Sequence, residues 1–327
     1  MRRKLESSDG KLTHTEPKYE RHPVVFMANE CRASGRLGPW ILKALQADPT
    51  FDITVVTRYT SAAEFPPNTK VVKVTDGYPI AEMIEVFKGQ DAVILSLGYA
   101  AEHLHASLAE ASIKAGVKRL IASVWGGNDT NKEAPKIFPI AAGKAKLFRE
   151  LRAMETPGWS WTAICNGLFF DFCVTMGFFR CFDPEAHTAQ IWDSGNVKFS
   201  GTNMATIGLS VAKTLAKPEE TANRSVYISS FECSMNDILE SYKKATGVSN
   251  WDIVHVNSDV QIKKATEAMI SGSGDRMVAM GNLALASLAK EGMGADFAAE
   301  GLLDNDLLGI PRETVDETVA RVLKDGL

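Results

Sequence analysis

Apolar residues along this chain recur in two rhythms that alternate from residue 24 onward. Short unbroken apolar runs read as strands buried on both faces. Runs with apolar positions three or four apart read as amphipathic helices. Val24 to Ala28 is the first apolar run, Ile41, Leu42 and Leu45 then repeat at helical spacing, and Ile53 to Val56 is apolar again. The alternation continues through Val71–Val74, the helical pattern Ile80–Phe87, the run Asp91–Gly98, a helical stretch from Ala101 to Ala115, and Val117–Gly127. Lys144 to Met154 reads as another helix, and WSWTAICNGLFFDF supplies a sixth strand with its loop. Strands that alternate with helices in this way predict an α/β fold built on a doubly wound parallel sheet.

Past the sixth strand the pattern changes. Phe172 to Gly201 is aromatic and irregular, Thr206–Leu215 is a clean helix, and SVYISS from Ser225 is a strand. Met235–Thr246, Val260–Met269 and Thr314–Leu323 are helical. The expected organisation is a sheet domain over 22–165, rejoined by 202–230. Residues 166–201 and 231–327 then form a smaller lobe above the carboxyl ends of the strands. Residues 1–21 are polar and read as a disordered extension without the apolar region of a secretion signal.

Composition narrows the choice of partner. The 327 residues are 45% apolar and 23% charged, ordinary for a globular enzyme, and the net charge of -4 argues against a nucleic-acid surface. No apolar run is long enough to span a bilayer. Cys31, Cys165, Cys173, Cys181 and Cys233 show no CxxC spacing, which fits free buried thiols in a reducing cytoplasm. HExxH, GxSxG and GxxxxGK[ST] are all absent, so zinc hydrolysis, serine-esterase chemistry and P-loop phosphoryl transfer have no support. His103 and His105 stand two apart on a helical stretch, point in different directions, and read as solvated rather than as metal ligands.

The candidate chemistry starts in the turn between the first strand and first helix. Strand, glycine turn, helix, strand is the unit whose helix N-terminus receives a dinucleotide pyrophosphate. Gly35 and Gly38 fit the second and third glycines of that fingerprint, with Ser34, Arg36 and Leu37 beside them. The first glycine is missing: Asn29, Glu30, Cys31 and Arg32 fill its space, and Arg32 is a cation that can stand in for a glycine contact. Arg58 ends the second strand where an NAD enzyme carries Asp or Glu. A cation there favours the 2′-phosphate of NADPH. Gly98, Tyr99 and Ser123 lie at strand ends where ribose and nicotinamide bind in such folds.

ASGRLGPWILKAL, the TR of the second strand, GVKRLIASVWGGND, AAGK, WTAICNGLFFDF, KPEETANRSVYISSF and LLGIPRETVDETVARVL follow one another in a specific order. With them the chain resembles the NmrA-like or isoflavone-reductase-like family of atypical short-chain dehydrogenases, nearest to fungal oxidoreductases of secondary metabolism. The resemblance implies a Rossmann domain with a small substrate lobe, NADPH as cofactor, and reduction of a small apolar or aromatic substrate by a monomer or homodimer. It places Lys144 beside the nicotinamide and substrate as the acid. Trp125, Asn166, Phe169, Phe170 and Asp171 would line the substrate pocket, with Phe178, Phe179, Phe182 and Trp192 adding apolar wall. Two positions depart from the pattern. Val124 stands where members often carry an acid, and Ile140 stands where the usual catalytic Tyr precedes the Lys by four. No Tyr in the chain has a Lys four residues later, so tyrosine-based catalysis is excluded. Three readings stay open: an NADPH-dependent reductase of a carbonyl or conjugated alkene, a lyase, isomerase or cyclase without a dinucleotide, and an NADP-sensing regulator.

Overall fold

The computed structural model describes residues 22–28, 37–272 and 274–327. The expectations for Asn29 to Arg32, Ser34, Gly35 and Arg36 therefore lie outside the described residues. In chain order the first half runs β1 (His22–Ala28), α1 (Gly38–Gln46), β2 (Phe51–Arg58), β3 (Lys70–Val74), α2 (Ile80–Phe87) and β4 (Ala92–Ser96). A 3-10 turn (Tyr99–Leu104) then leads into α3 (His105–Lys114), followed by β5 (Arg119–Ala122), α4 (Ala134–Ile137), α5 (Pro139–Ala153) and β6 (Ser160–Cys165). The second half continues with β7 (Leu168–Phe169), α6 (Phe170–Thr175), α7 (Gly177–Arg180), β8 (Phe182–Asp183), β9 (Thr188–Trp192), β10 (Phe199–Thr202) and α8 (Met204–Leu215). Last come β11 (Arg224–Tyr227), β12 (Phe231–Cys233), α9 (Met235–Thr246), β13 (Asp252–Val256), α10 (Ser258–Ser271), α11 (Arg276–Ala289), α12 (Asn305–Leu308) and α13 (Val315–Asp325).

Seven strands form one sheet in the order β11-β6-β5-β4-β1-β2-β3, and every pairing is parallel. Neighbours on β1 face opposite ways, as the twofold repeat of a strand demands. Val25 and Met27 enter a core with Met83 and Phe87 of α2, Leu108 of α3 and Leu147 of α5. Val24 and Phe26 enter a second core with Ile41 and Leu45 of α1 and Ile207 and Val211 of α8. The sheet is thus covered on both faces, which explains its unbroken apolar strands. β1 is the point from which the chain winds outward in both directions, so its carboxyl end and that of β4 open a crevice.

Two polar or small residues fix this frame. The buried Arg119 donates to Ser160 Oγ (2.8 Å), Thr162 Oγ1 (2.8 Å), Thr221 Oγ1 (3.0 Å) and the Pro218 carbonyl, bracing β5, β6 and the approach to β11. Gly208 lets α8 lie directly on α1: a Cβ there would stand 2.4 Å from the Trp40 carbonyl oxygen and 2.6 Å from its carbon.

The remaining two sheets have three strands each, in the orders β12-β10-β7 and β13-β9-β8. Phe170 and Phe231 meet edge to face at 4.7 Å and Phe182 stacks on Tyr242 at 5.2 Å, in a core that α9 and α13 close. The stretch Phe172 to Gly201, expected to be irregular, contains α6, α7 and three short strands. Segments of two to six residues leave too little periodicity to read. The helix expected from Ala101 is a 3-10 turn as far as Leu104, and α5 starts at Pro139 rather than Lys144 because proline suits a first helical turn.

Candidate active site

The crevice at the carboxyl ends of β1 and β4 contains a cavity of about 360 Å³, walled by Leu37, Ser96, Leu97, Gly98, Ser123, Trp125 and Met204 among others. α1 points its start at this crevice. Among the described residues no side chain caps that start, and its first turn holds no acidic residue, so its backbone donors and dipole favour an anion. Ser123 ties the ends of β4 and β5 together: its Oγ accepts from Leu97 N (2.9 Å) and from Trp125 Nε1 (3.1 Å) and donates to the Leu97 carbonyl (3.2 Å). Arg58 ends β2 opposite Val74, on the far side of β1 from Gly98.

Lys144 enters from the first turns of α5. Its Nζ donates to the Trp125 carbonyl, and Gly126, at φ +135, leaves room for it: a Cβ there would be 2.6 Å from Nζ. Burial lowers the lysine pKa to about 8, opposed by the neighbouring Cys165 and Glu102. An ammonium in this range is a competent proton donor near neutral pH.

A second cavity, of about 910 Å³, lies under α11 and carries Phe138, Phe148, Trp192, Phe297, Met280 and Met293 in its wall. Trp125, Ile140, Lys144 and Phe169 line both cavities, so the two spaces meet at these residues. Among the described residues Lys144 is the one charged side chain they share. Phe169 is brought there by Gly167, at φ +60, whose missing Cβ lets the Ser200 carbonyl approach to a distance of 2.1 Å from where it would stand. Gly167 N also donates to the Gly126 carbonyl (3.0 Å), fastening the loop after β6 to the loop after β5.

Other expected site residues fall elsewhere. Phe170 is fully buried in the core that α9 and α13 close, and Asn166 is buried with its carbonyl accepting from Thr202 Oγ1 (2.6 Å). Asp171 accepts from Met204 N (3.0 Å) at the start of α8 and pairs with Arg321 of α13 (3.3 Å). None of the three is in the wall of either cavity. Phe182 packs on Tyr242 rather than into the pocket, whereas Trp192 does reach the wall. Tyr99 opens the 3-10 turn, and its side chain, like those of Phe178 and Phe179, lies outside the described atoms. Among the described residues there is no cluster that could hold a metal ion, and no helix is long and apolar enough to cross a membrane. The four described cysteines are free and buried.

His105, expected in solvent, is buried instead, with Nδ1 2.9 Å from the Glu102 carbonyl and Nε2 3.1 Å from the Ser123 carbonyl. Burial lowers its pKa, and a neutral ring donates to only one of these oxygens at a time. Glu102, which the sequence pattern does not single out, lines the crevice, and the methionines of α11 line the larger cavity. The only signal for α11 was the apolar run MVAMGNLALASLA, which lacks a strong amphipathic alternation.

The sequence profile of the NmrA-like family matches residues 31–269. Oxidoreductase aprR of Aspergillus flavus is 34% identical over 293 residues, 89% of this chain and 97% of that protein. Oxidoreductase poxI of Penicillium oxalicum is 30% identical over 309 residues, 93% of this chain and 96% of that protein. Among solved structures, an isoflavone reductase shares the fold with a TM-score of 0.71 at 18% identity, covering 92% of this chain and 99% of its own. A ternary complex of leucoanthocyanidin reductase from Vitis vinifera gives 0.72 at 18% identity, with the same coverage of each chain. The profile and the two fungal relatives agree over most of the length, and the chain belongs to the NmrA-like family.

Proposed function

We propose that this protein is an NADPH-dependent reductase acting on a carbonyl or conjugated alkene of an apolar small molecule. The observation that carries the reading is the meeting of the crevice and the apolar cavity at Lys144, Trp125, Ile140 and Phe169. The residues present suit a dinucleotide: among the described residues the start of α1 is uncapped and its first turn carries no carboxylate, Arg58 supplies a cation at the end of β2, and Glu102 is the one carboxylate in the wall of the crevice. A solved relative by fold, triphenylmethane reductase of Citrobacter, was crystallised with NADP(H), which supports the same choice.

Bound in the crevice, the reduced nicotinamide supplies the hydride. Leu37, Trp125 and Met204 give the crevice apolar wall. Lys144 donates a hydrogen bond, and then its proton, to the substrate oxygen on which negative charge develops. The aromatic and methionine wall under α11 holds an apolar substrate against that point and excludes water. The same lysine cannot be replaced by a phenol, since Ile140 faces both cavities where a catalytic tyrosine would be expected.

The reading is tested by fluorescence titration with NADPH and NADH, followed by turnover of a panel of aryl ketones, quinones and enones. NADPH binding in preference to NADH, with consumption of NADPH by at least one class, is the expected result. Failure of purified protein to bind either nucleotide would overturn it.

A further inference from the structure

Two glycines make room for two opposite charges in the crevice. A Cβ on Gly126 would meet the Lys144 ammonium at 2.6 Å, and a Cβ on Gly143 would meet Glu102 Oε1 at 2.5 Å and its Cδ at 3.2 Å. Gly143 immediately precedes Lys144 on α5, so the Glu102 carboxylate is seated on the backbone of the helix turn that carries the lysine. Both residues line the crevice, where among the described residues they supply the only carboxylate and the only ammonium of its wall. The remaining titratable groups turned toward the lysine are His105 from α3 and Cys165 at the end of β6, with Asp129 beyond Cys165. His105 is occupied with two backbone carbonyls, and burial keeps the Cys165 thiol protonated, with a pKa raised to about 12.

We infer that Glu102 is a positioning residue for the reaction: seated on Gly143, its carboxylate keeps charged the Lys144 ammonium that the Trp125 carbonyl holds at the shared wall of the two cavities. A lysine buried against an apolar substrate tends to lose its proton to solvent. A fixed negative charge nearby opposes that loss, while leaving the amine free to give its proton to the substrate oxygen and to recover one from water afterwards. The inference rests on the role given to Lys144 above.

Its test needs no substrate. Trace labelling of Lys144 by acetic anhydride over a pH series, read by mass spectrometry in the unliganded full chain, gives the midpoint at which the amine becomes nucleophilic. Glu102→Gln should lower that midpoint by about half a unit or more, and Glu102→Asp should stay closer to the parent. Gly143→Ala, which displaces the carboxylate without removing it, should lower the midpoint too. Coincident midpoints for Glu102→Gln and the parent overturn the inference. If Glu102→Gln does not fold by circular dichroism, an unchanged midpoint in Gly143→Ala does so instead. The basic limb of the pH profile for NADPH consumption should move with the midpoint. An active Lys144→Ala would defeat the reductase mechanism, yet leave the labelling shift standing. An inactive Lys144→Ala with no labelling shift would defeat only the role of Glu102.

Discussion

Gly208→Ala adds a single methyl group where α8 crosses α1, and the structure says how much room it lacks. The new Cβ would stand 2.4 Å from the Trp40 carbonyl oxygen, 2.6 Å from its carbon and 3.1 Å from Ile41 N. These are backbone atoms and cannot rotate away. Reaching an ordinary contact requires the helices to part by about 1 Å, and overpacking of this kind costs about 1–3 kcal/mol. Alanine returns about 1 kcal/mol through its better helix propensity and the reduced freedom of the unfolded chain. The net loss is therefore on the order of 1 kcal/mol, a fall of a few degrees in Tm for a chain of this size. The displacement also moves the start of α1 relative to β1, so NADPH affinity should fall by more than the stability loss explains. Urea denaturation and NADPH titration of both proteins check the two effects. A variant more stable than its parent by about 1 kcal/mol, as helix propensity alone predicts, would refute the close-packing argument.

Arg58→Ala should weaken NADPH roughly tenfold or more and leave NADH nearly unchanged, if the 2′-phosphate meets that guanidinium; equal losses in calorimetric titrations of both nucleotides would count against it. Arg119→Met removes the donors shared by Ser160, Thr162, Thr221 and Pro218, and should cost about 2–4 kcal/mol in urea denaturation. Lys144 has a pKa lowered to about 8 in the folded chain, against an ordinary value of 10.5. Its burial therefore destabilises the fold fully below pH 8, and that penalty disappears as pH rises toward 10.5. The stability of Lys144→Met relative to the parent should accordingly be greatest at neutral pH and decline above pH 8, as followed by thermal unfolding across pH. Cys165, Cys173, Cys181 and Cys233 are buried with raised thiol pKa values, so a thiol reagent at pH 8 should modify them only after denaturant is added, as peptide mapping would show.

The sheet was legible in the sequence because strands buried on both faces write long apolar runs. Ile80–Phe87 is a helix with the limits its pattern suggests, β4 to β6 fall within the expected runs, and β1 to β3 contain theirs but extend one to two residues beyond them. The family was legible because several weak motifs stand in a fixed order. The site was legible only in part. Lys144 and Trp125 announce themselves through AAGK and SVWGG. Glu102 is invisible, since the role inferred for it depends on the absence of a side chain at Gly143, far along the chain. His105 was misread because periodicity alone does not show that the chain reaches it through a 3-10 turn that sinks it beneath the crevice. Phe170 and Asp171 look like pocket residues beside Phe169. The two-residue β7, however, passes at once into α6, which turns Phe170 to the core under α9 and α13 and Asp171 to the start of α8.

Lys144→Ala, compared with the parent for NADPH affinity and for turnover of whichever carbonyl or enone the panel identifies, tests the central claim most directly. On the proposed mechanism the ammonium serves the reacting oxygen rather than the phosphates, so nucleotide affinity should stay within about threefold while turnover falls roughly 10²–10⁴-fold, the ordinary worth of a positioned proton donor. Turnover near that of the parent, with NADPH still bound, would show that the junction of the two cavities is not where the proton is delivered.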